Sequence, residues 1–96
     1  MAPSCPNPNP PDVSGTVRGT IAITCGVPGN ACTVNQVGLR LLQTGQTLGF
    51  DTGTRSTVIN WNTATVPNGG YTLQCYATFA QGGQTLTANS QVTVQN

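Results

Sequence analysis

Between Thr57 and Phe79 the chain writes two strands around a glycine corner. Ile59 and Trp61 share a parity before the corner Val66-Pro67-Asn68-Gly69-Gly70, and Tyr71, Leu73, Cys75, Ala77 and Phe79 share one after it. Apolar side chains at every second residue line one face of a strand, whereas a helix repeats every 3.6 residues. Strands that are apolar on one face need a second apolar layer to cover them, and that arrangement is a β-sandwich.

The same alternation runs through the rest of the chain. Val17, Ile21, Ile23 and Cys25 share a parity, with Gly15 and Gly19 placed where a strand bends or bulges. A turn-rich loop, Gly26-Val27-Pro28-Gly29-Asn30-Ala31, closes near Cys32. Val37, Leu39 and Leu41 form the next set, Leu42 faces the other way, and Leu48 and Phe50 continue the run beyond a hairpin-like turn at Thr44-Gly45-Gln46. Residues 51 to 56 read as a polar loop, Thr57 to Asn62 and Tyr71 to Phe79 as strands, and Gln81-Gly82-Gly83-Gln84 as a tight connection. Leu86, Val92 and Val94 supply the last strand. The expectation is an all-β sandwich of about seven antiparallel strands spanning residues 13 to 96, with no internal repeat. Residues 1 to 12 hold Pro3, Pro6, Pro8, Pro10 and Pro11 and read as an N-terminal linker that Cys5 ties down.

Only five side chains carry charge: Arg18, Arg40, Arg55, Asp12 and Asp51. An ordinary soluble domain is about 25% charged, so Thr, Asn, Gln, Ser and Gly must solvate this surface. Disorder pairs low hydrophobicity with high net charge, which an ordered apolar alternation and a net charge of +1 exclude. The same charge offers no cationic footprint for nucleic acid. No apolar run reaches the roughly 20 residues of a membrane helix, so membrane insertion is not expected. Met1-Ala2-Pro3-Ser4 lacks the regions of a signal peptide, which places the expected export signal elsewhere in a longer parent. Weak like-charge repulsion favours tolerance of dense packing, on a cell surface or in a filament.

Four cysteines in a short chain of secreted character point to disulfides. Cys25 and Cys75 are both inward by parity and fall on opposite sheets of the expected sandwich. This favours Cys25–Cys75 as an inter-sheet bridge and leaves Cys5–Cys32 to staple the linker. The pairing Cys25–Cys32 with Cys5–Cys75 remains open. Zinc is not expected, because paired C-x2-4-C spacings are missing.

Trp61 and Tyr71 are inward and read as core, with Tyr71 where a tyrosine corner belongs. Tyr76 is outward, which makes it the aromatic to consider for a binding surface. Asp51-Thr52-Gly53 matches the active-site triplet of aspartic proteases, which need two facing aspartates, here from a homodimer. The later Gly-Arg segment of those enzymes is missing. The favoured reading is a turn in which Asp51 caps its own backbone and Gly53 takes positive φ. With no His, Lys or Glu there is no general base for a serine nucleophile. A calcium site would have one carboxylate, too few for good affinity. No catalytic residues, metal or cofactor are expected.

Val13-Ser14-Gly15-Thr16-Val17, Gly45-Gln46-Thr47-Leu48-Gly49-Phe50-Asp51-Thr52, Trp61-Asn62-Thr63, Val66-Pro67-Asn68-Gly69-Gly70-Tyr71-Thr72-Leu73 and Val92-Thr93-Val94 succeed one another in a fixed order. Together they resemble a bacterial immunoglobulin-like (Big) domain over roughly residues 13 to 95. The chain departs from that pattern in its cysteines, in Asn62 where an acidic residue is usual, and in Thr44 where an aspartate is usual. The resemblance implies an immunoglobulin-like sandwich used in secreted or surface proteins as spacer, adhesin or enzyme-appended module, and it implies no chemistry.

The expectation for function is therefore a non-catalytic structural or adhesive module, extracellular or on the cell surface, with self-assembly in reach. Its partners would be neighbouring domains, other copies of itself, or a surface protein or glycan. The alternatives are a carbohydrate-binding module appended to a secreted enzyme and, remotely, an aspartic protease subunit.

Overall fold

The first apolar run breaks at Arg18-Gly19, and the break sends the chain from one sheet to the other. Gly19 turns there with φ of 67°, a left-handed conformation that costs glycine least. The computed structural model describes residues 5–81 and 85–96. It has strands β1 (Gly15–Val17), β2 (Thr20–Gly26), β3 (Val34–Leu41), β4 (Gln46–Thr52), β5 (Ser56–Asn62), β6 (Gly69–Phe79) and β7 (Thr85–Val94), with a 3-10 turn at Thr63–Thr65. The connection expected at 81 to 84 lies, beyond Gln81, outside the described residues, as does the Met1-Ala2-Pro3-Ser4 start.

One sheet has the order β1-β7-β6-β3-β4 and the other is the pair β2-β5. Together they form an immunoglobulin-like β-sandwich. The expected all-antiparallel pairing needs one correction: β1 runs parallel to β7, Gly15 beside Val92 and Val17 beside Val94. The chain leaves β1 by changing sheets at Gly19 rather than by a hairpin, so β1 is free to join the last strand in the same direction.

The inward parities meet between the sheets. Val37, Leu39 and Leu41 stand opposite Ala77, Cys75 and Leu73 across β3 and β6, and all six are buried without measurable exposure. Ile23, Ile59 and Trp61 cover them from the smaller sheet. Trp61 is 3% exposed and meets Tyr71 edge-on, with ring centroids 6.3 Å apart. The Tyr71 hydroxyl donates to Pro67 O at 2.6 Å, which closes the tyrosine corner. Cys25–Cys75 crosses the core from β2 to β6 and Cys5–Cys32 lies at one pole, each with Cα atoms 5.6 Å apart.

Residues 5–12 do not behave as the linker their prolines suggest. Asn9 N donates to Gly26 O at 2.8 Å, Thr24 N to Asp12 Oδ1 at 2.8 Å and Ser90 Oγ to Pro11 O at 2.8 Å. Pro8 and Pro11 are buried, so the packed unit begins at Cys5. At the other pole Asn96 Oδ1 accepts from Gly19 N at 2.9 Å, and Asn96 N donates to Asn68 Oδ1 at 3.0 Å. β6 runs from the Asn96 pole to the Cys5 pole, along a molecule 48 × 19 × 18 Å.

Candidate functional site

The outer face of the five-stranded sheet carries the aromatic singled out by parity. Gly38 lies between Phe50 on β4 and Tyr76 on β6, and Thr87 of β7 lies beyond Tyr76. Tyr76 uses the space that Gly38 leaves: a Cβ at residue 38 would sit 2.6 Å from the Tyr76 hydroxyl oxygen. The Arg40 guanidinium carbon covers the ring from 4.6 Å, within cation–π range.

Tyr76 is therefore outward but only 6% exposed. This corrects the expectation of a free aromatic, because the ring lies flat against the sheet under Arg40. The exposed aromatic is Phe50, at 57%. Parity counting places Phe50 with Leu48, but a bulge intervenes: Leu39 pairs with Gly49 and Arg40 with Thr47, which leaves Leu48 as an extra residue. One extra residue reverses the facing of the strand beyond it. Gly49 consequently faces the core, where its Cβ would meet Ile59 at 3.0 Å, and Phe50 turns outward.

The face around Phe50, Tyr76 and Arg40 is filled out by Thr47, Gln74 and Asn89, which share the row of Arg40. This is a flat platform of one exposed ring, one cation and uncharged hydrogen-bonding side chains. It has the chemistry to rest against a polar, hydroxyl-rich surface, and its side chains include no carboxylate, imidazole or thiol.

The protease-like triplet is a turn. Asp51 Oδ1 accepts from Thr52 N at 3.0 Å, Gly53 has φ of 69°, and Gly53 N donates to Asn35 O at 3.0 Å. Asp51 is thus spent on its own backbone, as the turn reading expects. The second aspartate, Asp12, is engaged with β2. It lines an open cleft of about 340 Å³ together with Arg55, but Arg55 donates to Cys32 O at 2.6 Å and to Pro28 O at 3.3 Å. Both charges hold loops in place. Among the described residues no three His, Cys, Asp or Glu side chains gather as metal ligands. All four cysteines are in disulfides: Cys5 with Cys32, and Cys25 with Cys75.

No protein-family model matches the chain, and no curated protein matches it. Solved structures do. The endo-β-1,4-mannanase from Thermotoga petrophila aligns over 100% of this chain with a TM-score of 0.70 and 15% identity, and the chain spans 20% of that protein. Fibronectin(III)-like modules of Clostridium thermocellum CbhA align over 86% of this chain and 90% of theirs, with a TM-score of 0.60 and 12% identity. A Jonesia denitrificans lytic polysaccharide monooxygenase aligns over 86% of this chain and 58% of its own, also at 0.60 and 12%. At such identities the likeness is one of fold: this chain is an immunoglobulin-like β-sandwich of the kind that includes fibronectin(III)-like modules.

Proposed function

We propose that the chain is a non-catalytic structural or adhesive module of a secreted or surface-exposed protein, and that it works outside the cell. The observation that carries this reading is an elongated sandwich fastened at both poles. Cys5 is fixed at one pole by its bond to Cys32, and Asn96 is fixed at the other by Gly19 and Asn68. A 48 Å body fastened at both poles suits a role as a stiff structural element. Two disulfides suit an oxidising compartment. Both aspartates are occupied in holding backbone, which favours a role without catalysis. The order of the sequence motifs supports a place in the Big family.

A second reading is a carbohydrate-binding module appended to a secreted enzyme, and Phe50 favours it. Two of the similar structures are of proteins named for polysaccharides, a mannanase and a polysaccharide monooxygenase. Pull-down of the oxidised chain on insoluble mannan, cellulose and chitin separates the readings. The structural role predicts no retention on any of them. Saturable retention that disappears in Phe50→Ala would install the binding role instead.

A further inference from the structure

The sheet of β2 and β5 has two sides, and they differ. At the ends of its ladder Val27 N donates to Arg55 O at 2.7 Å and Thr63 N to Gly19 O at 3.0 Å. Hydrogen-bonded and non-hydrogen-bonded pairs alternate in antiparallel strands. With Ile21 opposite Trp61, Ile23 opposite Ile59 and Cys25 opposite Thr57, the odd-numbered residues bond across the pair. The even-numbered residues turn their N–H and C=O groups outward.

On β2 the N-terminal segment covers one end of the edge, where it bonds Gly26 O and Thr24 N. On β5 the two ends are occupied locally: Thr54 Oγ1 donates to Ser56 O at 3.1 Å and Thr65 Oγ1 to Asn62 O at 2.7 Å. Between them the N–H and C=O of Val58 and Asn60 face out with no bond from any described residue. The remaining edges are protected in the usual ways. β1 has three residues, and β4 carries the bulge at Leu48 and the charge of Asp51. Apolar exposure flanks this margin on the outer faces of the two sheets. Of the three large exposed hydrophobics among the described residues, Phe50 at 57% and Val58 at 61% stand on β4 and β5, which touch through Gly49 and Ile59.

We propose that this margin is an interface with a second copy of the chain, β5 against β5, antiparallel about a two-fold axis at Ile59. Val58 pairs with Asn60 of the second copy, and Asn60 with its Val58. This register uses the open backbone groups of Val58 and Asn60, gives four hydrogen bonds and joins the small sheets into one of order β2-β5-β5-β2. The occupant is a second copy because these groups complement themselves under a two-fold rotation. The strand has no charged side chain and the whole chain only +1, so nothing repels an identical neighbour. A charged peptide would find no counter-charge there. The interface deepens the structural reading above but does not decide it, since a monomer serves equally as a spacer.

The test is sedimentation equilibrium of the oxidised chain from micromolar to millimolar concentration, with two variants. Asn60→Pro removes an outward N–H and leaves the bonds to β2 whole. Val58→Lys places a charge on the edge at an exposed position. The wild type is expected to dimerise, and each variant to weaken the dimer by roughly tenfold or more with an unchanged circular dichroism spectrum. Val58→Lys carries the test if Asn60→Pro misfolds. A chain that stays monomeric throughout, or a dimer indifferent to Val58→Lys, overturns the proposal.

Discussion

β2 and β5 are both seven residues long and both free of charged side chains, yet a separate segment of the chain docks on one end of the β2 edge and none among the described residues docks on β5. The difference comes from outside the sheet. Residues 5–12 lie along β2 and bond it at Gly26 and Thr24, and proline lacks the N–H that would let a further strand continue the pairing. β5 has only its own flanking threonines. Edge protection here is thus supplied by a segment rather than written into the strand, and it is held in place by a disulfide at Cys5.

The strongest way to break that contrast is to remove the sandwich on which both edges depend. Cys25–Cys75 closes 50 residues, and the chain-entropy relation gives about 4 kcal/mol for such a loop. Cys25→Ala with Cys75→Ala is expected to lower stability by about that amount, read as a fall in the urea midpoint. An unchanged midpoint would mean that core packing alone joins the sheets.

A sharper cut removes only the staple. Cys5–Cys32 closes 27 residues, for which the same relation gives about 3.5 kcal/mol. In Cys5→Ala with Cys32→Ala the segment loses its anchor. Amide exchange at Thr24 should rise to the level of the amides at Val58 and Asn60, which makes the two edges alike. Retained protection at Thr24 would show that the hydrogen bonds hold the segment unaided.

How far these features can be read from the chain depends on the physics of each. Period-two patterning identifies Trp61, Tyr71 and the inward cysteines, because facing is local and strict within an unbroken strand. It fails at Phe50, where the extra residue Leu48 reverses the facing; nothing local marks a bulge that the pairing with β3 creates. Parity puts Tyr76 on the correct face but not at its true depth. Its burial depends on Gly38 one strand away and on Arg40 above the ring, and a glycine opposite an aromatic is a signal only after the register is known. The prolines of residues 5–12 exclude helix and central strand correctly. What they do not convey is that an extended segment without regular structure still docks when its neighbours offer partners.

The gentlest test concerns Asp12 alone. Its carboxylate accepts from Thr24 N at 2.8 Å at an exposed position, so its loss exposes one amide to water instead of burying it unpaired. The cost of Asp12→Ala should accordingly be about 1 kcal/mol or less. Its signature is local: faster exchange at Thr24, no change at Val58 or Asn60, and near-complete recovery in Asp12→Asn, whose amide oxygen still accepts. If Thr24 remains protected in Asp12→Ala, the seal lies in the prolines and the Asn9 bond. If recovery in Asp12→Asn fails, the charge matters more than the acceptor, and the covered end of β2 is electrostatic where the edge of β5 is neutral.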